Sequence, residues 1–300
     1  MRILKYLGIA LVFGLIGGFV LFCLTPKAEA TPWDVTTLGL ESTTTTAVQV
    51  AAAYGLGGDA TGTRLIVINE ADSSAKQYNC TTGWDITTCG YAKAYDVSAR
   101  TASAYGNFLS QNGSNWYVMD YNNKEVERYT LGTANEIDSA TWNSAFSVGT
   151  QLSAPWGVAW SSTGTYMYVF GNGEIDQYYA PTRYSFASMS FYAVADISAY
   201  EGTPESGAFK SDGTKVFVSG ASSEINEFTM STGWNINTLS YTAVTSTSAV
   251  VTGQILKDDG TKMWGNFPST DKIGLFAFEY TAPIAGAVVP TGRKKRSIMF

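Results

Sequence analysis

At 300 residues, with no histidine, three cysteines and only 15% charged residues, the chain excludes imidazole triads, histidine metal ligands and cysteine-rich zinc sites. Aromatics at 14% and 30 glycines, with abundant Val, Ile, Thr, Tyr and Phe, suit strands joined by tight turns and one large all-β domain. The formal charge of −6 makes a nucleic-acid or anionic-membrane partner unfavourable.

Residues 1–30 differ from the rest. Arg2 and Lys5 precede an apolar run from Leu7 to Leu24, and Ala28 and Ala30 form an Ala-x-Ala site; together these read as a secretory signal. The alternative is an uncleaved anchor, because residues 7–24 are just long enough to span a bilayer. Cys23 follows the bulky Phe22, which argues against a lipidated cysteine. Either way, the remainder is expected outside the cytoplasm: secreted, periplasmic or exposed on a cell or virion surface. Beyond residue 30 there are 16 basic and 24 acidic residues, and four of the basic ones form the run at 293–296.

From residue 31 to 282 the sequence repeats five times. Turn glycines recur at Gly62, Gly113, Gly164, Gly213 and Gly260, at spacings of 51, 51, 49 and 47. An aromatic ladder takes Tyr78, Tyr129, Tyr178, Phe228 and Phe278, and a second takes Trp33, Trp84, Trp142, Phe186 and Trp234. Each unit divides into four short strands. A glycine-bearing strand, a Gly turn, an alternating apolar strand, a polar loop, a third strand, a corner and a fourth strand follow one another, which is the plan of a propeller blade.

Five units predict a five-bladed β-propeller of four-stranded antiparallel blades. Gly55, Gly106, Gly157, Gly207 and Gly253 fall on the innermost strands, where crowded backbones leave no room for a side chain. The chain enters mid-unit at "TPWDVTTLGLES" and leaves at "GLFAFEYTAP". Residues from about 34 to 50 are therefore expected to supply the outer strand of the last blade, closing the ring without a bare edge.

Turns such as "SDGTKVFVSG" and "DDGTKMW" resemble those of TolB and YVTN-type bacterial propellers. The longer unit, "DGTKVFVSGASSEINEFTMSTGWNINTLSY", is similar to repeats of secreted marine bacterial proteins and phage structural or tail proteins. The resemblance implies the fold and little about function. Two units depart from the pattern: the second has "NGSN" for the acidic turn, and the third is short near "PTRYSFASM".

Five-bladed glycosidases gather carboxylates on the innermost strands; here only Glu205 lies there. Asp59, Asp212, Asp258 and Asp259 belong to the opposite ends of those strands. No catalytic residue, metal or cofactor is expected. The candidate binding face is instead the set of loops between second and third strands, with Asp72, Asn122, Asn123, Asn172, Ser222 and Asp271. Tyr105, Trp156 and Tyr200 from the blade-to-blade segments join it. These residues suit a protein partner or a surface glycan, and equally suit solvated turns and blade packing. Divergent loops favour a protein-interaction platform over a lectin with repeated sites.

Residues 283–300 form a basic tail, expected to be a disordered end or to dock on an acidic partner. Cys80 and Cys89 take positions that hold Leu131, Met230, Leu38 and Leu239 elsewhere. They flank the turn between third and fourth strands of one blade, and in an exported protein that predicts a disulfide.

Overall fold

The computed structural model describes residues 32–45 and 50–278, and residues 1–30, expected to be a signal or an anchor, and the basic tail 283–300 lie outside them. Strand β1 (Gly39–Thr45) comes first. The first blade holds β2 (Ala53–Gly58), β3 (Arg64–Asn69), β4 (Ser74–Cys80) and β5 (Cys89–Asp96). The second holds β6 (Ala104–Leu109), β7 (Asn115–Asp120), β8 (Glu125–Leu131) and β9 (Ala140–Ser147). The third holds β10 (Pro155–Trp160), β11 (Tyr166–Gly171), β12 (Glu174–Tyr179) and β13 (Ser190–Asp196). The fourth holds β14 (Pro204–Phe209), β15 (Lys215–Gly220), β16 (Glu224–Met230) and β17 (Leu239–Ser246). The fifth has β18 (Gly253–Leu256), β19 (Lys262–Phe267) and β20 (Lys272–Ala277), with β1 paired antiparallel to β20 as its outer strand.

Every sheet is four-stranded and antiparallel, the first four are simple meanders, and the five together form the propeller. Second strands are buried along nearly their whole length, as in β7, because neighbouring blades cover both of their faces. That is why they read as continuous apolar runs instead of alternating ones. Outer strands β5, β9 and β17 are largely exposed.

The turn glycine meets two demands. Gly62 has φ of +67°, and a Cβ there would sit 2.6 Å from Trp84 Cδ1. The corner residue folds back over this turn, and its N–H donates to the glycine carbonyl. The five such donors are Trp33, Trp84, Asn135, Tyr184 and Trp234, each with φ between 55° and 67°. The corner ladder therefore runs through Asn135 and Tyr184, and not Trp142 and Phe186: the backbone bond defines the position, and the side chain above the glycine varies. Trp142 lies on the outer strand β9.

The other ladder also ends differently. Phe276 pairs with Met263 as Tyr78 pairs with Leu65. Phe278 donates its N–H to Thr261, as Cys80 does to Thr63 and Met230 to Thr214. The last rung is thus Phe276, and Phe278 takes the place of Cys80.

Blades are joined by packing and by a repeated hydrogen bond. Leu65, Val67, Tyr78 and Trp84 of the first blade share a cluster with Trp264, Ile273 and Leu275 of the fifth, and the indoles of Trp84 and Trp264 stack at 4.6 Å. Gln77 Oε1 accepts from the N–H of Ile137 in the next blade's corner, and Gln177 Oε1 accepts from Ile236. Glu227 Oε2 does the same for Val35, in the corner that precedes β1. Each bond pairs a buried corner N–H with a side chain from the preceding blade.

Candidate binding sites at the two ends of the axis

The innermost strands meet at the axis. A Cβ on Gly55 would lie 2.4 Å from the Tyr105 carbonyl, one on Gly106 2.6 Å from that of Trp156, and one on Gly157 2.4 Å from that of Glu205. Backbone occupies the space on every side, so only glycine fits. In the fourth blade the equivalent residue is Ser206, one before Gly207. Its hydroxyl accepts the backbone N–H of Gln254 at 3.1 Å, so the side chain replaces a close approach with a hydrogen bond. Gly207 serves a different purpose, leaving room for the Phe170 ring, which a Cβ would meet at 2.1 Å.

The residues just before these positions form the mouth on the loop face: Tyr54, Tyr105, Trp156, Glu205 and Thr252. Tyr105 meets Tyr54 edge-on at 4.8 Å and Trp156 edge-on at 4.7 Å, and Tyr121 covers Trp156 at 4.5 Å. Glu205 is part-buried among them, and its Oε2 has no hydrogen-bond partner among the described residues. Burial, with the Glu201 carboxylate nearby, pushes its carboxyl up to about 7. The mouth is filled by its own rings and carries one poorly solvated acid.

Of the aromatics read from the sequence, Tyr105 and Trp156 meet at this mouth. Tyr200 stands apart, stacked on Tyr241 of the outer strand β17 at 4.1 Å and 7°. The equivalent residue two blades earlier, between the first and second blades, is Arg100, whose guanidinium lies 4.1 Å over the ring of Trp142. A blade-to-blade side chain thus covers an outer-strand aromatic in both places, by stacking in one and by a cation–π contact in the other. Tyr54 and Tyr121 were missed. Tyr54 precedes Gly55 just as Tyr105 precedes Gly106, a signal available in the repeat; Tyr121 has no counterpart in other blades.

The polar loop residues are mostly engaged in shaping their own turns. Asp72 accepts from Ser74 Oγ and, at 3.2 Å, from Lys76 Nζ. Asn122 and Asn123 donate their N–H groups to Asp120 Oδ1, and Asn123 Nδ2 donates to Asp120 Oδ2 at 2.8 Å. Ser222 donates its N–H and its hydroxyl to Glu201 Oε2. Asn172 and Asp271 hold left-handed backbone positions, at φ of 50° and 49°, of the kind these residue types accept at hairpin tips.

A cavity of about 120 Å³ opens at the opposite end of the axis, among the Gly turns. Its walls include Asn107, Phe108, Trp160, Phe209, Trp234 and Gln254, and its rim carries Asp59 and Asp258. Asn107 and Gln254 are equivalent residues, and each donates its amide back to the preceding blade, to Ile66 and Phe217. No single repeat marks this funnel, because its walls combine residues from all five units.

Cys80 and Cys89 face each other across β4 and β5 and are joined as a disulfide, in the register that Met230 and Leu239 hold in the fourth blade. Such a crosslink fits an oxidising compartment. Among the described residues, no helix is long and apolar enough to cross a membrane, and no group of three or more acidic or cysteine side chains could hold a metal.

Fold and axis together define a five-bladed β-propeller with a closed aromatic mouth and an open funnel. No family model and no curated protein matches the chain. Among solved structures it is similar to a candidate 6-phosphogluconolactonase of Bacteroides uniformis, at 13% identity and a TM-score of 0.46. The match covers 72% of this chain and 64% of that protein, less than two thirds of its length.

Proposed function

We propose that the chain is a non-catalytic, exported propeller that displays a surface for a protein partner. The observation that carries this reading is the aromatic character of the perimeter. Tyr179, Phe191, Tyr192 and Val194 of the third blade are 41–49% exposed, and Tyr200 and Tyr241 of the next are 43% and 38% exposed. The strand that bears three of them, β13, is the outer edge of its sheet. Exposed apolar and aromatic side chains on a sheet edge contribute little to the fold and favour association, while the tyrosine hydroxyls among them keep the surface soluble. Export is supported by the leader and by the disulfide. A glycan-binding loop face finds less support, because several of its polar side chains are already engaged in their own turns.

Photo-crosslinking in the producing cells tests this. A benzophenone side chain is placed at Tyr192 on the perimeter, or at Lys272 beside the loop face. One protein crosslinked from Tyr192, and displaced by unlabelled purified propeller, is the expected result. Crosslinking from Lys272 alone, or saturable binding on a glycan array with no perimeter crosslink, would overturn the reading.

A further inference from the structure

We infer that the cleft between the second and third blades, on the turn face, is a binding site for the carboxylate or phosphate group of a small ligand. The inference stands apart from the perimeter interface and does not depend on it.

Two departures from the repeat meet at this cleft. The turns of the first, fourth and fifth blades carry Asp59, Asp212, Asp258 and Asp259, whereas those of the second and third, residues 110–115 and 161–165, carry no acid. The other departure is the short corner of the third blade. The remaining four corners each contain a 3₁₀ turn, at Val35–Thr37, Ile86–Thr88, Ile137–Ser139 and Ile236–Thr238, and the corner leading to β13 has none. Gln77, Gln177 and Glu227 accept the first N–H of the next such turn. Their equivalent in the second blade is Arg128, a residue with no acceptor, placed where no such N–H is offered. An open cleft of about 420 Å³ lies there, lined by Gln111, Asn112 and Asn115 on one side and Arg183 and Tyr184 on the other.

Charge identifies the ligand. In the other clefts that hold a cation, a carboxylate matches it: Arg64 with Glu136 at 3.0 Å, Lys215 with Glu227 at 2.5 Å and Lys262 with Glu41 at 3.9 Å. Arg128 and Arg183 have no carboxylate partner among the described residues. Arg183 is exposed, and it is held at the cleft by donating Nε to the Thr163 carbonyl at 2.6 Å and by lying 5.8 Å over the Tyr184 ring. Arg128 stands behind the wall, donating Nε and Nη2 to Asn115 Oδ1 at 3.0 and 2.9 Å. A guanidinium has five donors, and these bonds use one of Arg183 and two of Arg128. Its planar fork matches the paired oxygens of a carboxylate or a phosphate. Two uncompensated guanidiniums, in a chain whose formal charge is −6, therefore favour an anion at this one cleft. The exposed Gln111 and Asn112 supply neutral donors and acceptors for the rest of the ligand.

The test is a calorimetric titration of the folded protein with glucuronate and with glucose 6-phosphate, using glucose as the neutral control. Nitrogen-15 NMR of the arginine Nε–H groups is the second readout. Saturable binding of at least one anion, with glucose at least tenfold weaker, is expected, and the Arg183 signal should shift with it. Tighter binding of glucuronate assigns the group to a carboxylate and tighter binding of glucose 6-phosphate to a phosphate; either supports the site. A hydrogen bond to a charged group is worth about 1.5–3 kcal/mol, so Arg183→Gln should weaken binding about tenfold or more. Arg183→Lys, which keeps the charge and loses the fork, should fall between. Arg128→Gln acts through charge and through Asn115, and should cost up to about fivefold. Lys272→Gln, on the loop face, should change nothing, with circular dichroism confirming that every variant folds. Absence of saturable binding by both anions up to tens of millimolar overturns the inference. So does binding that Arg183→Gln leaves unchanged, binding that Lys272→Gln weakens equally, or glucose binding as tightly as the anions.

Discussion

Replacing Glu205 with glutamine should stabilise the propeller at neutral and alkaline pH and leave it nearly unchanged in acid. The carboxyl is buried among Tyr54, Tyr105, Trp156 and Thr252 at the loop-face mouth, and its value is raised from the ordinary 4.5 to about 7, first by desolvation and then by Glu201. An acid whose value is higher in the folded chain binds its proton more tightly there than when unfolded. Its ionisation therefore costs the fold nothing below about pH 4.5, costs progressively more as pH rises, and reaches the full penalty above about 7. At 1.36 kcal/mol per pH unit, the gap amounts to about 3 kcal/mol. Glutamine keeps the shape and cannot ionise, so Glu205→Gln should recover that amount at pH 8. For a domain of this size it corresponds to a rise in Tm of about 6–12 °C. Urea or thermal unfolding at pH 4.5, 6 and 8 measures it. Equal shifts at all three values, or none at pH 8, would refute the assignment of a desolvated carboxyl at this mouth.

Other consequences can be checked in the same way. Asp176 is raised to about 6 by burial and by Glu174, so Asp176→Asn should remove part of the loss of stability between about pH 4 and 6 that Glu205→Gln leaves. Reducing the Cys80–Cys89 bond, or Cys80→Ser with Cys89→Ser, opens a short loop and should cost about 2.5 kcal/mol by the chain-entropy relation; free-thiol labelling of the native, unreduced protein should modify neither cysteine. Gly106→Ala places a Cβ 2.6 Å from the Trp156 carbonyl and should destabilise by about 3 kcal/mol, against about 1 kcal/mol for Ser206→Gly, which removes one hydrogen bond; equal costs would argue against backbone crowding at the axis. Deleting residues 32–45 strips β1 from β20 and Val35 from Glu227. The truncated chain should melt lower and self-associate through the bared edge, as light scattering would show.

The period of about fifty residues was enough to read five blades, four strands in each, and the pairing of Cys80 with Cys89. Those features are local: a turn that requires positive φ, a strand whose apolar residues repeat, and a corner that returns the chain to its neighbour. The blade-to-blade segments put Tyr105 and Trp156 beside the loop face, and the structure carries both to the axis, where each precedes a glycine that backbone crowding demands. The repeat put Trp142, Phe186 and Phe278 on the rungs that Asn135, Tyr184 and Phe276 hold, because a corner N–H bonds to the turn carbonyl whatever side chain follows, and aromatic letters two or more residues away imitate the rung.

Function-bearing groupings were beyond the repeat altogether. Glu205 becomes a raised acid only beside Tyr54, Trp156 and Glu201, and the funnel exists only where Asn107, Phe209 and Gln254, from different blades, line one cavity. Sequence alone determined the blade and its number. Only the tertiary structure decided which residues, some fifty apart along the chain, share an axis, because desolvation and unpaired hydrogen-bonding capacity are properties of what surrounds a side chain and not of the side chain itself.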